Sequence, residues 1–191
     1  MRKLAIATVF FLALASVIIW AALSPPILGE RRILHELSSA FLEDLQFKDF
    51  RSSGLYHHPF EQDRVDIGKA LERLFLVKPE LLNIRDFRLV QNEVDSTGRR
   101  GRTLVNVQFD VLNRDDNPRE ADLMLYWMRR HPDCPLGTEC EGGVCVNESG
   151  QKALRDESGD DEEDEPFACD DQAERQWFMN LDSTLESRDY R

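Results

Sequence analysis

The sequence predicts an α+β protein: an N-terminal transmembrane helix, followed by helices packed on a curved, mostly antiparallel sheet of four strands. Three observations support this class. An uncharged apolar run covers residues 4–23, apolar residues recur at helical spacing from residue 34 to residue 75, and period-two alternation dominates from residue 105 onward. Because the helices precede the strands, the pattern favours an α+β domain over a parallel βαβ design.

The run from Leu4 to Leu23 contains twenty residues without a charge, enough to span a hydrocarbon layer of ~30 Å. Residues 1–29 are therefore interpreted as a transmembrane anchor and linker, which makes the membrane the first predicted partner. The alternative is a cleaved signal peptide, because Ala13-Leu14-Ala15 has the small-x-small pattern of a cleavage site. Both interpretations export the rest of the chain, either as a single-pass protein of the bacterial inner membrane or as a secreted protein.

Two helices are predicted at the start of the exported domain, which comprises residues 30–130 and 175–191. The first covers residues 29–50, and the second begins near Asp63, a favourable N-cap residue, and ends before Pro79. The apolar stripe of the first helix consists of Leu34, Leu37, Phe41 and Leu45.

Four strands follow, the first over residues 84–94 and the last over residues 175–185. Alternation assigns their side chains to an inner face toward the helices and an outer face toward solvent. The predicted inner face consists of Val105, Val107, Phe109, Val111, Leu123, Leu125, Trp127, Trp177, Met179 and Leu181.

Composition limits the number of domains and the class of partner. The chain has 191 residues, of which 41% are hydrophobic, so it can bury one core of ordinary size. Lys and Arg total 24 against 36 Asp and Glu, which gives a formal net charge of −12. Since nucleic acids and anionic lipids are bound through basic surfaces, this balance argues against both and predicts no nucleic-acid partner.

The acidity is concentrated in a predicted insertion, residues 131–174, between the third and fourth strands. It holds 15 acidic and 2 basic residues, and eight of its carboxylates lie within residues 156–165. Such a run repels itself and cannot bury enough apolar surface to order its backbone, so the insertion is predicted to be partly disordered. A calcium-binding loop is the weaker interpretation, because the register of an EF-hand loop is absent.

All four cysteines lie in this insertion, an even number that predicts two disulfides in an oxidising compartment. Hairpin geometry favours pairing Cys134 with Cys169 and Cys140 with Cys145. The main rival pairs Cys134 with Cys145 and Cys140 with Cys169. A zinc site is a further alternative, which the lack of paired Cys-x2-Cys knuckles disfavours.

The stretches HELSSAFLEDLQFKDF, DIGKALERLF, RTLVNVQFDVLN, ADLMLYWMRR and RQWFMNLDSTLES, in this order, resemble the nuclear transport factor 2-like (cystatin-like cone) superfamily. The resemblance implies a cone-shaped sheet covered by helices. An anchor joined to this fold is similar to bitopic components of bacterial envelope assemblies, which implies another envelope protein as a partner. DCPLGTECEGGVCV resembles the CPxGxxCxxGxCV units of secreted proteins and implies disulfide pairing among its cysteines.

The sequence predicts no catalytic residue, no cofactor and no metal ligand. Enzymes of the cone superfamily place an acid or base inside the cone, whereas the inner face predicted here has no titratable group. Nucleophile, phosphate-loop, HExxH and dinucleotide motifs are absent as well. His57 and His58 are predicted to face solvent from a loop between the helices, with a pH-sensitive contact as the alternative.

The outer face, by contrast, is unusually apolar for a surface that only meets water. We therefore predict a non-catalytic, membrane-tethered interaction module that forms a homodimer or binds another envelope protein. A binder of a small apolar ligand inside the cone is the alternative, and a cone-superfamily enzyme is less favoured. The interface candidates are Leu112, Met124, Tyr126, Met128 and Phe178.

Overall fold

Helices cover one face of a four-stranded antiparallel sheet in the computed structural model, which describes residues 25–113, 118–154 and 165–189. A single 3-10 turn, Gln62–Arg64, lies between the second and third helices. The helices are α1 (Pro25–Gln46), α2 (Phe50–Gly54), α3 (Ile67–Phe75) and α4 (Leu181–Asp189). The strands are β1 (Leu82–Val94), β2 (Arg100–Val111), β3 (Arg119–Arg130), β4 (Thr138–Glu141), β5 (Val144–Asn147) and β6 (Gln176–Met179).

The predicted fold class is wrong in its first element. Among the described residues, no helix is both long enough and apolar enough to cross a membrane. The predicted span, residues 4–23, lies outside the described residues. The longest described helix, α1, has 22 residues, but charged side chains such as Arg31, Arg32 and Glu36 alternate with its buried ones, so it is apolar only along one stripe.

Helix α1 packs on the inner face of the sheet through the predicted stripe, in which Leu34, Phe41 and Leu45 are at most 4% exposed. It ends at Gln46, four residues before the predicted end. The backbone reverses at Lys48, where φ is 59°, and Asp49 then begins α2 by accepting a 3.0 Å hydrogen bond from the Ser52 amide. The predicted helix is therefore shorter at this end, and a separate short helix capped by Asp49 begins where it was expected to stop.

The N-terminus of α3 follows the same principle. Asp66, and not the predicted Asp63, accepts a 3.0 Å hydrogen bond from the Lys69 amide and caps the helix. Asp63 belongs to the preceding 3-10 turn. The helix ends at Leu76, whose backbone is left-handed with φ 54° and ψ 33°.

The large sheet has the order β1-β2-β3-β6, with every pair antiparallel. Every predicted inner-face residue of β2, β3 and β6 is buried, which confirms the alternation. Gly101 shows how closely α1 approaches, because a Cβ at this position would overlap Leu34 Cδ1. About one turn before Leu34, the carboxylate of Glu30 also holds α1 to the sheet, accepting 2.6 Å hydrogen bonds from Trp177 Nε1 and Arg129 Nη1.

The fourth strand of this sheet is shorter than predicted. It ends at Met179, and residues 181–189 form α4 instead of continuing the alternation. Asn180 causes the change, since its Oδ1 accepts a 3.0 Å hydrogen bond from the Ser183 amide and its backbone carbonyl bonds Thr184. Leu181, predicted on the inner face of a strand, is therefore a helical residue.

Both outer edges of the sheet are modified. Strand β1 carries two register shifts, between Ile84 and Asp86 and between Leu89 and Gln91. At the opposite side, the Met179 amide donates to the Tyr56 carbonyl at 2.8 Å. Beyond β6, the Thr184 hydroxyl accepts a 3.1 Å hydrogen bond from the Tyr126 amide, so the start of α4 covers the edge of β3 next to β6.

The segment between β3 and β6 forms a small module in which β4 and β5 make a hairpin. Two disulfides close it, Cys134–Cys145 and Cys140–Cys169, with Cα–Cα distances of 5.5 Å and 5.9 Å. These disulfides indicate an oxidising, extracytoplasmic environment. Residues 156–164 of the acidic run lie outside the described residues.

The favoured cysteine pairing is wrong and its rival is the one observed. The reason is a third chain segment that lies beside the hairpin. The backbone amide of Cys145 donates to the Phe167 carbonyl at 2.9 Å, and Val144 forms a β-bridge with Ala168. This segment brings Cys169 alongside the hairpin, where it bonds Cys140 rather than closing the ends of the insertion.

Candidate interaction surface

The outer face of the sheet divides into a polar half and an apolar half. In the polar half, cross-strand pairs satisfy one another: Asn106 donates to Asp122 at 2.9 Å, and Gln108 donates to Glu120 at 3.0 Å. An Arg85–Asp110 ion pair continues this row. A face of this kind is already hydrogen-bonded and solvated.

The apolar half consists of Leu104, Met124, Tyr126 and Met128, which we call the apolar half-face. All four side chains are half-buried, and Leu104 pairs directly with Met124 across β2 and β3. Met124, Tyr126 and Met128 belong to the predicted interface set. Leu104 was missed, although its even position in β2 assigns it to the same outer face as Asn106.

The other two interface candidates lie elsewhere. Leu112 is 44% exposed but follows the far end of β2, eight residues from Leu104 and therefore roughly 26 Å away along the strand. Phe178 is on the outer face but only 7% exposed. The His58 ring covers it at 4.7 Å between centroids, and Phe60 stacks on His58 in turn.

A cleft of about 600 Å³ lies over the Tyr126 and Met128 end of the apolar half-face, between the β1–β2 hairpin and the start of α4. Tyr126 and Met128 contribute to its lining, together with Asn180 and Ser183 from the α4 side. Met128 is held in place because its sulfur accepts a 3.1 Å hydrogen bond from Asn180 Nδ2. The cleft is therefore built on regular strands and a helix terminus rather than on loops alone.

The rim of this cleft carries both signs of charge, from Glu93, Asp95, Arg100 and Arg102. Arg102 bonds the Glu93 carboxylate across β1 and β2 at 2.5 Å. Burial by itself raises the pKa of Asp95, but hydrogen bonds from the Thr97 hydroxyl and neighbouring backbone amides outweigh it and hold the pKa below its ordinary value. Asp95 is thus a fixed negative charge at neutral pH.

A second cleft, of about 440 Å³, separates the end of β3 from the disulfide module. Glu139 of β4 bonds two arginines of its lining, Arg99 at 2.8 Å and Arg175 at 2.7 Å. These ion pairs hold the module to the sheet. The single carboxylate offsets only one of the two guanidinium charges, so this group of three side chains keeps a net positive charge.

Several side chains of the disulfide module lie close enough together to be compared with a metal site. His131, Cys134 and Cys140 offer ligand atoms within 4.8 Å of one another, as do Cys140, Cys169 and Asp171. Every such group found in the described ranges includes disulfide sulfurs, which are not thiolates and do not ligate a metal while the bonds are closed.

His57 and His58 are buried, 1% and 0% exposed, so the prediction that they face solvent is wrong. His57 Nδ1 lies 3.2 Å from the Gly54 carbonyl, and His58 Nε2 lies 2.9 Å from the His131 carbonyl. Because carbonyls only accept, these ring nitrogens carry the hydrogens. Burial lowers the pKa of both histidines, and Arg130 lowers that of His58 further. Both are therefore neutral hydrogen-bonding groups near pH 7.

We expect the folded state to lose stability as the pH falls below about 6.5. Unfolded histidines titrate near that pH, whereas the folded-state pKa values of His57 and His58 are lower, so the unfolded chain binds more protons in between. Each histidine lowers the free energy of unfolding by up to about 1.4 kcal/mol for every unit that the pH falls within that window. Urea unfolding between pH 5 and 8 measures it.

The substitution His58→Gln should reduce this slope, whereas His35→Gln, on the exposed side of α1, should leave it unchanged. An equal slope in both variants would contradict the assignment.

Comparison of the chain with protein-family models, with curated proteins and with solved structures finds no match.

Proposed function

We propose that this chain is an exported, non-catalytic interaction module that forms a homodimer through the apolar half-face. The observation that carries the proposal is the cleft of about 600 Å³ over Tyr126 and Met128, bordered by rigid elements on both sides. Aromatic and Met side chains are enriched at the centres of protein interfaces, and polar or charged residues at their rims. This is the arrangement found around the cleft.

The charges of the rim favour a second copy as the partner. A two-fold interface places the same patch against itself, so a patch of one sign would repel its mate. Two carboxylates and two guanidinium groups border the cleft, from Glu93, Asp95, Arg100 and Arg102. A rim that carries both signs can pair with its own copy.

A small apolar ligand is the second candidate occupant. The inner face, where such a ligand was first expected, is filled by packed side chains such as Leu34, Leu125 and Trp127, each at most 1% exposed. The outer cleft has the volume typical of small-molecule sites, about 300–1,000 Å³. A ligand would therefore compete with dimer formation at the same surface.

We also propose a relation to the nuclear transport factor 2-like superfamily. Its support is the order of elements, in which helices precede an antiparallel meander of β1, β2 and β3 and cover one face of it.

Binding of another exported envelope protein through the apolar half-face remains part of this proposal.

The substitution Met124→Lys is expected to weaken dimerisation at least about 100-fold, because a two-fold interface receives two buried charges. Sedimentation of the full chain in mild detergent, over a range of concentrations, measures the change. The matched control is Gln108→Lys, which adds the same charge to the polar half of the face, opposite Glu120. Circular dichroism should be unchanged in both variants.

A monomeric wild-type chain at every concentration would overturn the homodimer. If addition of an apolar ligand dissociated the dimer, the second candidate would gain support. Equal weakening by the two lysine substitutions would show that the apolar half-face is not the contact.

A further inference from the structure

Three chain reversals at one end of the molecule present large apolar side chains to solvent. Phe47 follows α1 and is 81% exposed, Leu76 ends α3 and is 78% exposed, and Leu112 follows β2 and is 44% exposed. We call this set the apolar tip. Phe47 and Leu76 are the two most exposed large hydrophobic residues in the described part of the chain.

Hydrogen bonds hold the three reversals at the same end. Lys48 Nζ, next to Phe47, donates to the Glu80 carbonyl at 3.2 Å. The Leu112 amide donates to the Leu81 carbonyl at 2.8 Å, and the Leu81 amide donates to the Lys78 carbonyl at 2.9 Å. Residues 78–81, which begin two positions after Leu76, therefore join all three.

The backbone at these three reversals is unusual. Within the described ranges, the non-glycine residues with positive φ are Lys48, Leu76 and Asn113, at 59°, 54° and 66°. Each is a member of the apolar tip or its immediate neighbour. Asn tolerates this conformation, whereas a bulky leucine adopts it at an energetic cost, and helices that end in it normally carry Gly or Asn. At Leu76 the chain keeps a large apolar side chain where stability and solubility both favour another residue.

The shape of the apolar tip limits what it can bind. Three side chains on separate reversals are too few for the roughly 800 Å² per partner that a stable protein interface buries. A fluid lipid surface requires no matching pocket and accepts separate apolar side chains. The exposed Lys78 lies beside the tip, where a long aliphatic stem can follow the leucine while the ammonium stays among headgroups.

We propose that the apolar tip inserts into the interfacial layer of a lipid bilayer. The net charge of −12 opposes adsorption to anionic lipid, so the insertion depends on apolar burial and suits zwitterionic membranes. This proposal is independent of the homodimer, because the apolar half-face lies toward the opposite end of β2.

The test places a tryptophan at the tip, Phe47→Trp, in the full chain with phosphatidylcholine vesicles. The readout reports only on the surroundings of residue 47, so contact of other parts of the chain with lipid does not contribute to it. Subtracting the wild-type spectrum isolates the fluorescence emission of the new tryptophan. On addition of vesicles, this emission should shift to shorter wavelength and be quenched by lipids brominated high on the acyl chain. Quenching should not change between low and high salt.

The matched control is Val90→Trp, which is 50% exposed on β1 and eight residues from Leu82, away from the tip. It should show neither shift nor quenching. Adding Leu76→Asn to Phe47→Trp should lower quenching by at least about twofold, because it removes apolar contact while suiting the left-handed backbone.

Absence of quenching at residue 47, or equal quenching at residue 90, would overturn the proposal. A blue shift that depends on protein concentration and not on lipid would assign the tip to a protein contact instead.

Discussion

Replacing Trp127 by alanine is expected to lower the free energy of unfolding by about 3–5 kcal/mol. Trp127 is the largest of the side chains that are less than 2% exposed, and it lies on the inner face of β3, between β2 and β6. Its ring meets Tyr56 edge to face at 6.4 Å, and Tyr56 meets Phe41 of α1 at 5.6 Å. Thermal unfolding followed by circular dichroism measures the loss.

The control is Trp127→Phe, which keeps most of the apolar volume. It also removes the indole N–H, which is buried without a hydrogen-bond partner among the described residues, so part of the packing loss is offset. We expect a loss of about 1–2 kcal/mol from this smaller cavity. If alanine cost no more than phenylalanine, the inner face could not be the core of the domain.

The second large effect concerns the Cys140–Cys169 disulfide. Replacing both cysteines by serine should destabilise the disulfide module by about 3–4 kcal/mol, because the bond restricts a loop of 29 residues in the unfolded module. Removal of Cys134–Cys145, with a separation of 11 residues, should cost slightly less, about 3 kcal/mol. Amide hydrogen exchange across β4 and β5 measures both.

Exchange in β2 should be nearly the same in wild type and in both serine variants, because the sheet has its own core beneath α1. A loss of protection in β2 equal to that in β5 would show instead that module and sheet unfold together.

Strand alternation made the inner face predictable, because a single period assigns every residue of β2 and β3 to a side. The same rule failed at Leu181. Trp177, Met179 and Leu181 keep the alternation, yet the side chain of Asn180 caps a helix, a local hydrogen bond that periodicity does not detect. The C-terminal end of α1 and the beginning of α3 were mistaken for the same reason, since an aspartate cap can lie at any of several nearby positions.

The candidate surface was predictable only in part. Alternation assigned Phe178 to the outer face correctly, but it does not reveal that His58 covers it from a loop 120 residues earlier. Burial of His57 and His58 is likewise a tertiary effect, with no signal in the neighbouring sequence. The cysteine pairing depended on where the segment around Phe167 lies, which the hairpin alone does not determine.

The treatment of the sheet edges has a consequence for how copies of this chain can assemble. An exposed straight strand is a template to which other chains add without limit, and fibrils grow in this way. Strand β1 has two irregularities in its register, β6 is hydrogen-bonded to the Tyr56 segment, and the start of α4 covers β3 next to β6. Strand addition is therefore disfavoured on both sides, so copies that meet are directed to their faces, where a two-fold contact closes after one pairing. Crowding of this protein should accordingly give discrete particles rather than fibres.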